Sequence, residues 1–438
     1  MRITVIGAGY AGLVTAAGFA ELGNDVACVE RDPDRVATLR AGRSPMYEPG
    51  LDGLLAAGSG SGRLRFLLPS EAGPAHAAAE AVFIVVGTPR LDDGGVDLSQ
   101  VWDVVGAMAP DLSPGVTVVV KSTVPVGTTR EVGDRLASLR PELRFHMASN
   151  PEFLRQGAAV ADFLGPDRIV VGVDDDAAAE AMRHAYRPQV DAGVPFMVTA
   201  IESAELIKYA ANAFLATKLS FINEMADLCE ASGAVIDEVA AGLGMDRRIG
   251  PAFLKAGPGF GGACLPKDTH ALRHTSDSFG TGSRIVGAAL SVNEERVHRM
   301  LGKVEAAIGA PIAGKKIGVL GITFKAETDD VRESPAVEIV REMVAAGASV
   351  RVFDPQGMDR GRSVLPEEVE YAFDAYDAVG GADAAVIATE WQEFAALDLE
   401  RLAAVLERPV LVDFRNLVDP ARAAAAGLSY AAIGRRPV

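Results

Sequence analysis

Three glycines near the start restrict this chain more than any other feature. Gly7, Gly9 and Gly12 stand as G-x-G-x-x-G between the apolar run Arg2–Ile6 and an alanine-rich stretch reaching about Leu22. A second apolar run, Asp25–Val29, follows and ends at Glu30, eighteen residues past Gly12. Strand, glycine turn, helix, strand and acid, in that order, are the parts of a dinucleotide-binding βαβ unit. Gly7 permits the tight turn, Gly9 lets backbone approach a pyrophosphate, and Gly12 lets the helix pack on the strand. The helix start offers unpaired N–H groups and a positive dipole end to the phosphates. Glu30 in this place accepts hydrogen bonds from ribose hydroxyls and repels a 2′-phosphate, which favours NAD over NADP; Arg31 and Arg35 soften that preference. The bland alternative is a Rossmann turn that binds nothing.

At roughly 100–200 residues per domain, 438 residues allow two to four domains. Apolar residues make up 49 % and charged residues 23 %, a globular composition that excludes disordered, collagen-like and coiled-coil chains. The net charge of −17 argues against nucleic acid or an anionic membrane as the main partner, because both select a basic face. A phosphorylated small molecule needs only a locally positive pocket. Cys28, Cys229 and Cys264 are odd in number and far apart, so neither a disulfide framework nor a metal cluster is expected. A reducing cytosol is the natural compartment. The N-terminal stretch superficially resembles a signal peptide, but Glu21, Asn24 and Asp25 follow without a cleavage-site pattern. No long apolar run appears elsewhere, so no membrane span is expected and the protein reads as soluble and cytoplasmic.

Further strands are predicted at 81–86, 116–121, 145–149 and 168–173. The first three run into Gly87-Thr88-Pro89, Ser122-Thr123-Val124-Pro125 and Asn150-Pro151-Glu152-Phe153. Ligands of open parallel sheets sit beyond the carboxyl ends of strands, where Thr88, Thr123 and Glu152 fall. Turn chemistry alone accounts for the same residues. The Gly-Ser stretch at 58–62 reads as a flexible surface loop. From Ile201 to about Ala231 the pattern is helical, with no Pro or Gly before Gly233, a span of roughly 45 Å. Glu205, Lys208 and Asn212 fall on one face of it. They are either a solvated charge pair or a lysine whose apolar neighbours shift its pKa.

Residues 253–268 combine four glycines, Gly257, Gly259, Gly261 and Gly262, with Cys264, Lys267 and Asp268. Such a loop wraps a ligand closely and ends in a nucleophile whose thiolate a nearby cation favours. An inert buried cysteine is the alternative; it suits Cys28 in its strand and Cys229 on its apolar helix better than Cys264. Beyond Pro311, the runs at 315–321 and 348–355, with a helix from about Ser334 between them, form a second βαβ unit. Its turn, Gly321-Ile-Thr-Phe-Lys-Ala, predicts a nucleotide-type fold without a second dinucleotide site. Strands at 384–390 and 409–416 extend it, and Lys325, Arg332 and Arg415 in its loops are candidate phosphate partners or plain surface charges. The expected fold is therefore α/β, with two Rossmann-like doubly wound domains joined by a long central helix and a helical middle domain. The boundaries are 1–200, 201–312 and 313–438.

The motifs at 121–125 (Lys-Ser-Thr-Val-Pro), 150–154 (Asn-Pro-Glu-Phe-Leu), 204–212 (Ala-Glu-Leu-Ile-Lys-Tyr-Ala-Ala-Asn), 261–268 (Gly-Gly-Ala-Cys-Leu-Pro-Lys-Asp) and 328–335 (Thr-Asp-Asp-Val-Arg-Glu-Ser-Pro) stand in a fixed order. With them the chain resembles the UDP-glucose/GDP-mannose dehydrogenase family over nearly its whole length. The resemblance implies a four-electron oxidation of CH₂OH to carboxylate with two NAD⁺ and one water, and UDP-glucose as the leading substrate. It implies that Lys208 and Asn212 steady the oxyanion, that Cys264 carries thiohemiacetal and thioester, that Glu152 is the general base, and that Thr123 and Asp268 position water. NAD is expected to touch Gly7, Gly9, Tyr10, Ala11, Gly12, Glu30, Arg35, Thr88, Thr123 and Arg332. The UDP-sugar is expected against Glu152, Phe153, Leu154, Lys208, Asn212, Phe253, Lys255, Gly257, Gly261, Phe324, Lys325 and Arg415. Arg248 is expected to reach a neighbouring subunit's site, in a homodimer built around the central helix. Residues 201–312 would thus carry dimerisation with the catalytic Lys and Cys, and 313–438 the UDP-sugar.

Four positions depart from the family pattern. Gln156 replaces a usual Glu, Ala263 a Ser, Leu265 a Phe and Ala326 a Pro. Leu265 is what GDP-mannose enzymes tend to have, whereas Phe253-Leu-Lys255 and Arg247-Arg248-Ile249-Gly250 look more like the UDP-glucose branch. The competing readings are oxidation of GDP-mannose or a UDP-N-acetylhexosamine, a two-electron hydroxyacid dehydrogenase that would not need Cys264, and a non-catalytic nucleotide-sugar sensor that would have lost Cys264 or Lys208.

Overall fold

The computed structural model describes residues 1–436. Its apolar runs become strands because both faces of a parallel sheet are covered. β1 (Arg2–Ile6), β2 (Asp25–Val29), β3 (Leu64–Leu67), β4 (Ala81–Ile84), β5 (Val116–Val120), β6 (Phe145–Ser149), β7 (Ile169–Val173) and β8 (Phe196–Thr199) form one sheet. Their order is β3-β2-β1-β4-β5-β6-β7-β8. Every neighbouring pair runs parallel except β6 with β7. β4 and β5 are buried from end to end. The chain reverses its winding direction between β1 and β4, which puts the topological switch point at their carboxyl ends.

β9 (Lys316–Leu320), β10 (Ser349–Phe353), β11 (Glu370–Tyr371), β12 (Ala384–Ile387), β13 (Val410–Asp413) and β14 (Ser429–Ala432) make a second, fully parallel sheet in the order β11-β10-β9-β12-β13-β14. The same winding reversal recurs between β9 and β12. The fold is thus α/β with two doubly wound sheets and a helical central region.

The chain divides into two compact units, residues 1–211 with 271–281 and residues 212–270 with 282–438. Each has its own core. In the first, Phe19 packs within 4.8 Å of Phe83 and 5.0 Å of Tyr186, ring centre to ring centre. In the second, Met300, Val319, Val340, Val386 and Phe414 are all buried. The helix Ile201–Ser232 runs uninterrupted for 32 residues. It stops at Gly233, whose φ of +84° is left-handed and whose N–H closes the last turn on the Cys229 carbonyl.

One sequence expectation fails. Residues 58–60 are not a flexible loop but the last turn of the helix Leu51–Gly60. A Cβ on Gly58 would stand 3.0 Å from the Leu64 Cβ and 3.5 Å from that of Ala20. The glycine serves close packing of helix on strand, and it is buried. Among the described residues, no helix is long and apolar enough to cross a membrane.

Candidate functional site

The glycine turn after β1 is shaped by what its neighbours leave no room for. Gly7 has φ +106°, and a Cβ there would lie 2.5 Å from the Val85 carbonyl oxygen. A Cβ on Gly12 would lie 2.0 Å from the Gly7 carbonyl oxygen. Gly9, at the start of the helix Tyr10–Glu21, is extended and faces open space, with no heavy atom within 4 Å of its missing Cβ. Glu30 closes the turn from the end of β2. Its Oε2 accepts from the Ala8 N–H at 2.8 Å and its Oε1 from that of Asp32 at 3.0 Å. Arg35 adds a bond from Nη1 to the Ala8 carbonyl. A locked acid beside an open, glycine-lined helix start suits a dinucleotide, with phosphates over Gly9 and a ribose at Glu30. Ala11 lies half-buried in the first helical turn. Tyr10 donates to Glu48, which also accepts from the Gly157 and Ala159 N–H groups at 2.6 and 2.7 Å. Burial and Glu48 push the Tyr10 phenol far up, so it stays protonated. Thr88 and Thr123, beyond β4 and β5, meet through a 2.8 Å bond from the Thr88 hydroxyl to the Thr123 carbonyl.

The long helix brings Lys208 to Glu152, beyond β6, with Nζ 3.2 Å from Oε1. Lys208 is buried, and Glu152 also accepts from the Leu154 N–H at 2.6 Å. Burial alone would raise the Glu152 carboxyl. Lys208, that N–H and Lys121 outweigh it and hold the group below its ordinary value, so it is ionised at neutral pH. The Phe153 ring lies under Arg168 at 3.9 Å and Lys208 at 5.4 Å. Leu154 packs against the core of this unit. Of the two readings of the helix face, the solvated one is excluded. Glu205 accepts from Gly127 N–H at 2.6 Å and Thr129 N–H at 2.8 Å, at the start of the helix Thr128–Leu139.

In the second unit, Asn212 Nδ2 donates to Asp268 Oδ2 at 2.6 Å, and Lys267 Nζ to Asp268 Oδ1 at 2.6 Å. The Asp268 N–H closes on the Cys264 carbonyl at 2.8 Å. Cys264 stands exposed just before the helix Leu265–Ser278, whereas Cys28 and Cys229 are buried. A helix start is a place that favours thiolate.

The glycine loop leading to Cys264 is pinned by residues that no sequence motif singled out. Asn223 accepts from the Gly257 N–H at 2.8 Å, and Arg296 donates to the Gly257 carbonyl at 3.1 Å. Asn293 grips both polar atoms of the Phe260 backbone, at 2.7 and 3.1 Å. Arg296 is only 1 % exposed and pairs with Asp227 at 2.7 Å. Gly262 donates to the Arg332 carbonyl, and a Cβ on Gly261 would strike the Glu333 carbonyl oxygen at 2.1 Å.

A cavity of about 230 Å³ opens beside this loop. Phe253, Lys255, Gly257, Gly261, Phe324, Lys325 and Arg415, all expected to hold the UDP-sugar, line it together with Asn223, Leu265 and Glu390. Phe253 has φ +61°, a left-handed conformation that costs a non-glycine residue about 1–2 kcal/mol. Arg415 is held by the Ala388 and Phe324 carbonyls, at 2.8 and 3.0 Å, and by Glu390 at 3.0 Å. Arg332 and Arg248 lie outside the lining. Each is exposed and forked onto a neighbouring acid, Asp330 and Asp246, with closest approaches of 2.6 Å. A wider groove of about 870 Å³ lies at the other end of the first sheet, near Arg2, Thr117 and His146, away from all these residues.

The second glycine turn differs in its acid. Asp354, at the end of β10, is buried and accepts from the N–H groups of Ile322, Thr323, Gln356 and Gly357 at 2.7–3.0 Å, and from the Thr323 hydroxyl. Its oxygens are occupied by the protein's own donors. Among the described residues, no group of three or more His, Cys, Asp or Glu could hold a metal ion.

Residues 1–190 match the NAD binding domain of the UDP-glucose/GDP-mannose dehydrogenase family, residues 202–295 its central domain and residues 318–420 its UDP binding domain. A UDP-glucose 6-dehydrogenase of Rhizobium meliloti is 49 % identical over 438 residues, covering 99 % of this chain and 100 % of that one. The solved UDP-glucose dehydrogenase of the archaeon Pyrobaculum islandicum superposes with a TM-score of 0.90 at 40 % identity, covering 99 % and 97 % of the two chains. A UDP-D-ManNAc dehydrogenase from Pyrococcus horikoshii gives 0.87 at 27 %, covering 99 % of each.

Proposed function

For this chain, which belongs to the UDP-glucose/GDP-mannose dehydrogenase family, we propose the NAD-dependent oxidation of UDP-glucose to UDP-glucuronate at C6 through covalent attachment to Cys264. The observation that carries this is the exposed Cys264, delivered by a pinned glycine loop that also lines the cavity holding Arg415, Lys325 and Phe253. The names of the 49 % and 40 % identical relatives favour UDP-glucose. Leu265 in the cavity lining is the feature that favours GDP-mannose as the second reading.

Bound NAD⁺ supplies the hydride acceptor for both oxidation steps. Gly7, Gly9, Gly12, Ala11, Tyr10, Glu30 and Arg35 hold it, with Thr88, Thr123 and Arg332 contributing. Lys208 and Asn212, four positions apart on one helix, present donors on the same face and steady the oxygen at C6 as it loses its proton. Glu152, kept ionised by its surroundings, takes that proton. The Cys264 thiolate then adds to the aldehyde carbon, forming a C–S bond and, after protonation of the oxygen, a thiohemiacetal. The second oxidation leaves a thioester. Water, positioned by Thr123 and Asp268, attacks the carbonyl carbon; the C–S bond breaks, and carboxylate and thiolate separate. Phe153, Leu154, Phe253, Lys255, Gly257, Gly261, Phe324, Lys325 and Arg415 hold the UDP-sugar.

Along the long helix, Phe214, Phe221 and Leu228 are exposed by 65 %, 46 % and 58 % at seven-residue intervals. An apolar seam with that repeat suits a second copy of the same helix, which supports a homodimer in which Arg248 reaches the partner's site. The cytoplasm is the proposed compartment.

The test is NADH formed per UDP-glucose consumed, for wild type and Cys264→Ser, with GDP-mannose and UDP-N-acetylglucosamine in parallel. Two NADH per sugar, with turnover collapsing in the variant, supports the thioester route. One NADH per sugar, or an unchanged variant, sinks it. Turnover of GDP-mannose alone keeps the chemistry and replaces the substrate.

A further inference from the structure

Besides Lys208, a second buried lysine acts on Glu152, and the scheme above does not use it. Lys121 follows β5, is 4 % exposed, and donates to Asn150 Oδ1 at 3.1 Å, the Asn150 carbonyl at 3.4 Å and the Tyr186 hydroxyl at 3.2 Å. None of these three partners is a carboxylate. Asn150 in turn accepts from the Tyr186 hydroxyl at 2.7 Å and donates to the Val170 carbonyl at 2.9 Å. It stands two residues before Glu152.

We propose that Lys121 is a positioning residue for Glu152: its buried ammonium fixes the Asn150 turn from which Glu152 projects and keeps the Glu152 carboxylate ionised at the pH of catalysis. The proposal rests on the reading of Glu152 as general base. A buried ammonium with only neutral hydrogen-bond partners is unfavourable unless some charge answers it. The charged groups that act on it are Glu152, from the loop after β6, and Lys208, from the long helix. Tyr186 and Asn150 face it from the other elements, and burial keeps the Tyr186 phenol protonated. Glu152 therefore sits in the field of two ammonium groups, one paired with it directly and one bonded to Asn150 two residues earlier. Burial, only partly offset by Glu152, pushes Lys121 down to about 8, so it is charged at neutral pH and neutral in mild alkali. A lysine that merely braced the turn would not influence how Glu152 titrates.

The experiment is the pH dependence of kcat/KM for UDP-glucose in wild type, Lys121→Met, Lys121→Arg and Glu152→Gln, with melting temperatures alongside. Lys121→Met is expected to move the acid limb up by about one pH unit or more, whereas Lys121→Arg leaves it in place. Glu152→Gln is expected to abolish that limb. A limb that Glu152→Gln abolishes but Lys121→Met does not move overturns the proposal and leaves the general base standing. If Glu152→Gln keeps the limb, the reading of Glu152 fails and the proposal fails with it. Wild-type protein gives an answer that needs no folded variant at position 121. The ¹³C resonance of the Glu152 carboxyl, assigned by its loss in Glu152→Gln, is expected to show a second inflection near pH 8 as Lys121 deprotonates. A curve flat through that range overturns the proposal.

Discussion

Asn212 and Asp268 share a 2.6 Å hydrogen bond that ties the long helix to the helix beginning just after Cys264. Asp268 is 1 % exposed, and its other oxygen meets Lys267. The carboxylate therefore balances a lysine on one side and orients an amide on the other. Asp268→Asn keeps an acceptor for Asn212 but removes the charge facing Lys267. We expect kcat to fall about 10²–10⁴-fold, the range of a lost general acid–base group, with KM for UDP-glucose within about threefold. Steady-state NADH formation checks this. An unchanged kcat would reduce Asp268 to a strut.

The glycine turn separates binding from folding. At Gly9 a methyl group meets nothing, so Gly9→Ala should melt with the wild type yet bind NADH at least about tenfold more weakly, a loss of about 1.4 kcal/mol. At Gly12 the same methyl would stand 2.0 Å from a carbonyl oxygen, so Gly12→Ala should lose stability and binding together. Fluorescence titration with NADH beside thermal melts distinguishes the two. Equal NADH affinity in Gly9→Ala would remove the phosphates from that position.

Glu152 gives stability a pH signature. Its folded value lies below the ordinary 4.5, so its contribution is present above the unfolded value and disappears as pH falls through the folded one. The melting-temperature gap between wild type and Glu152→Gln should therefore be widest near neutrality and shrink below about pH 4.5. Thermal melts at intervals from pH 3.5 to 7.5 would show it, and a gap independent of pH would mean that the carboxylate's charge is irrelevant to the fold.

A charge in the apolar seam should split the proposed dimer. Phe221→Glu places a carboxylate between Phe214 and Leu228, and two copies would bring like charges together. We expect a dimer dissociation constant at least about a hundredfold higher, equivalent to about 2.7 kcal/mol, with an unchanged monomer circular dichroism spectrum. Light scattering across a dilution series measures it. Wild-type protein that is monomeric at every concentration would make the stripe something else.

Much of this architecture was legible in the sequence because its signals are local. The strands at 81–84 and 116–120 carry almost wholly apolar runs, as strands buried on both faces must, and the long helix contains no Pro or Gly that could break it. The cysteine loop announced itself by glycine spacing. What stayed hidden depends on chain segments far apart. Lys208 and Glu152 are 56 positions apart, and the apolar neighbours of Lys208 argue for a dry face without naming its partner. Asn223, Asn293 and Arg296 look like ordinary polar helix residues until the loop they hold is in place. Gly58 misled for the opposite reason: beside serine and further glycines it mimics a linker, while the actual constraint is the Leu64 side chain.

The contrast in burial among the three cysteines reaches beyond catalysis. Cys28 and Cys229 lie inside the two cores, and Cys264 faces solvent. An alkylating reagent therefore meets one thiol in the intact molecule and three in the unfolded chain. The same reaction that tests the proposed role of Cys264 also counts how much of a preparation is folded, and protection by a nucleotide sugar would be read at a single sulfur.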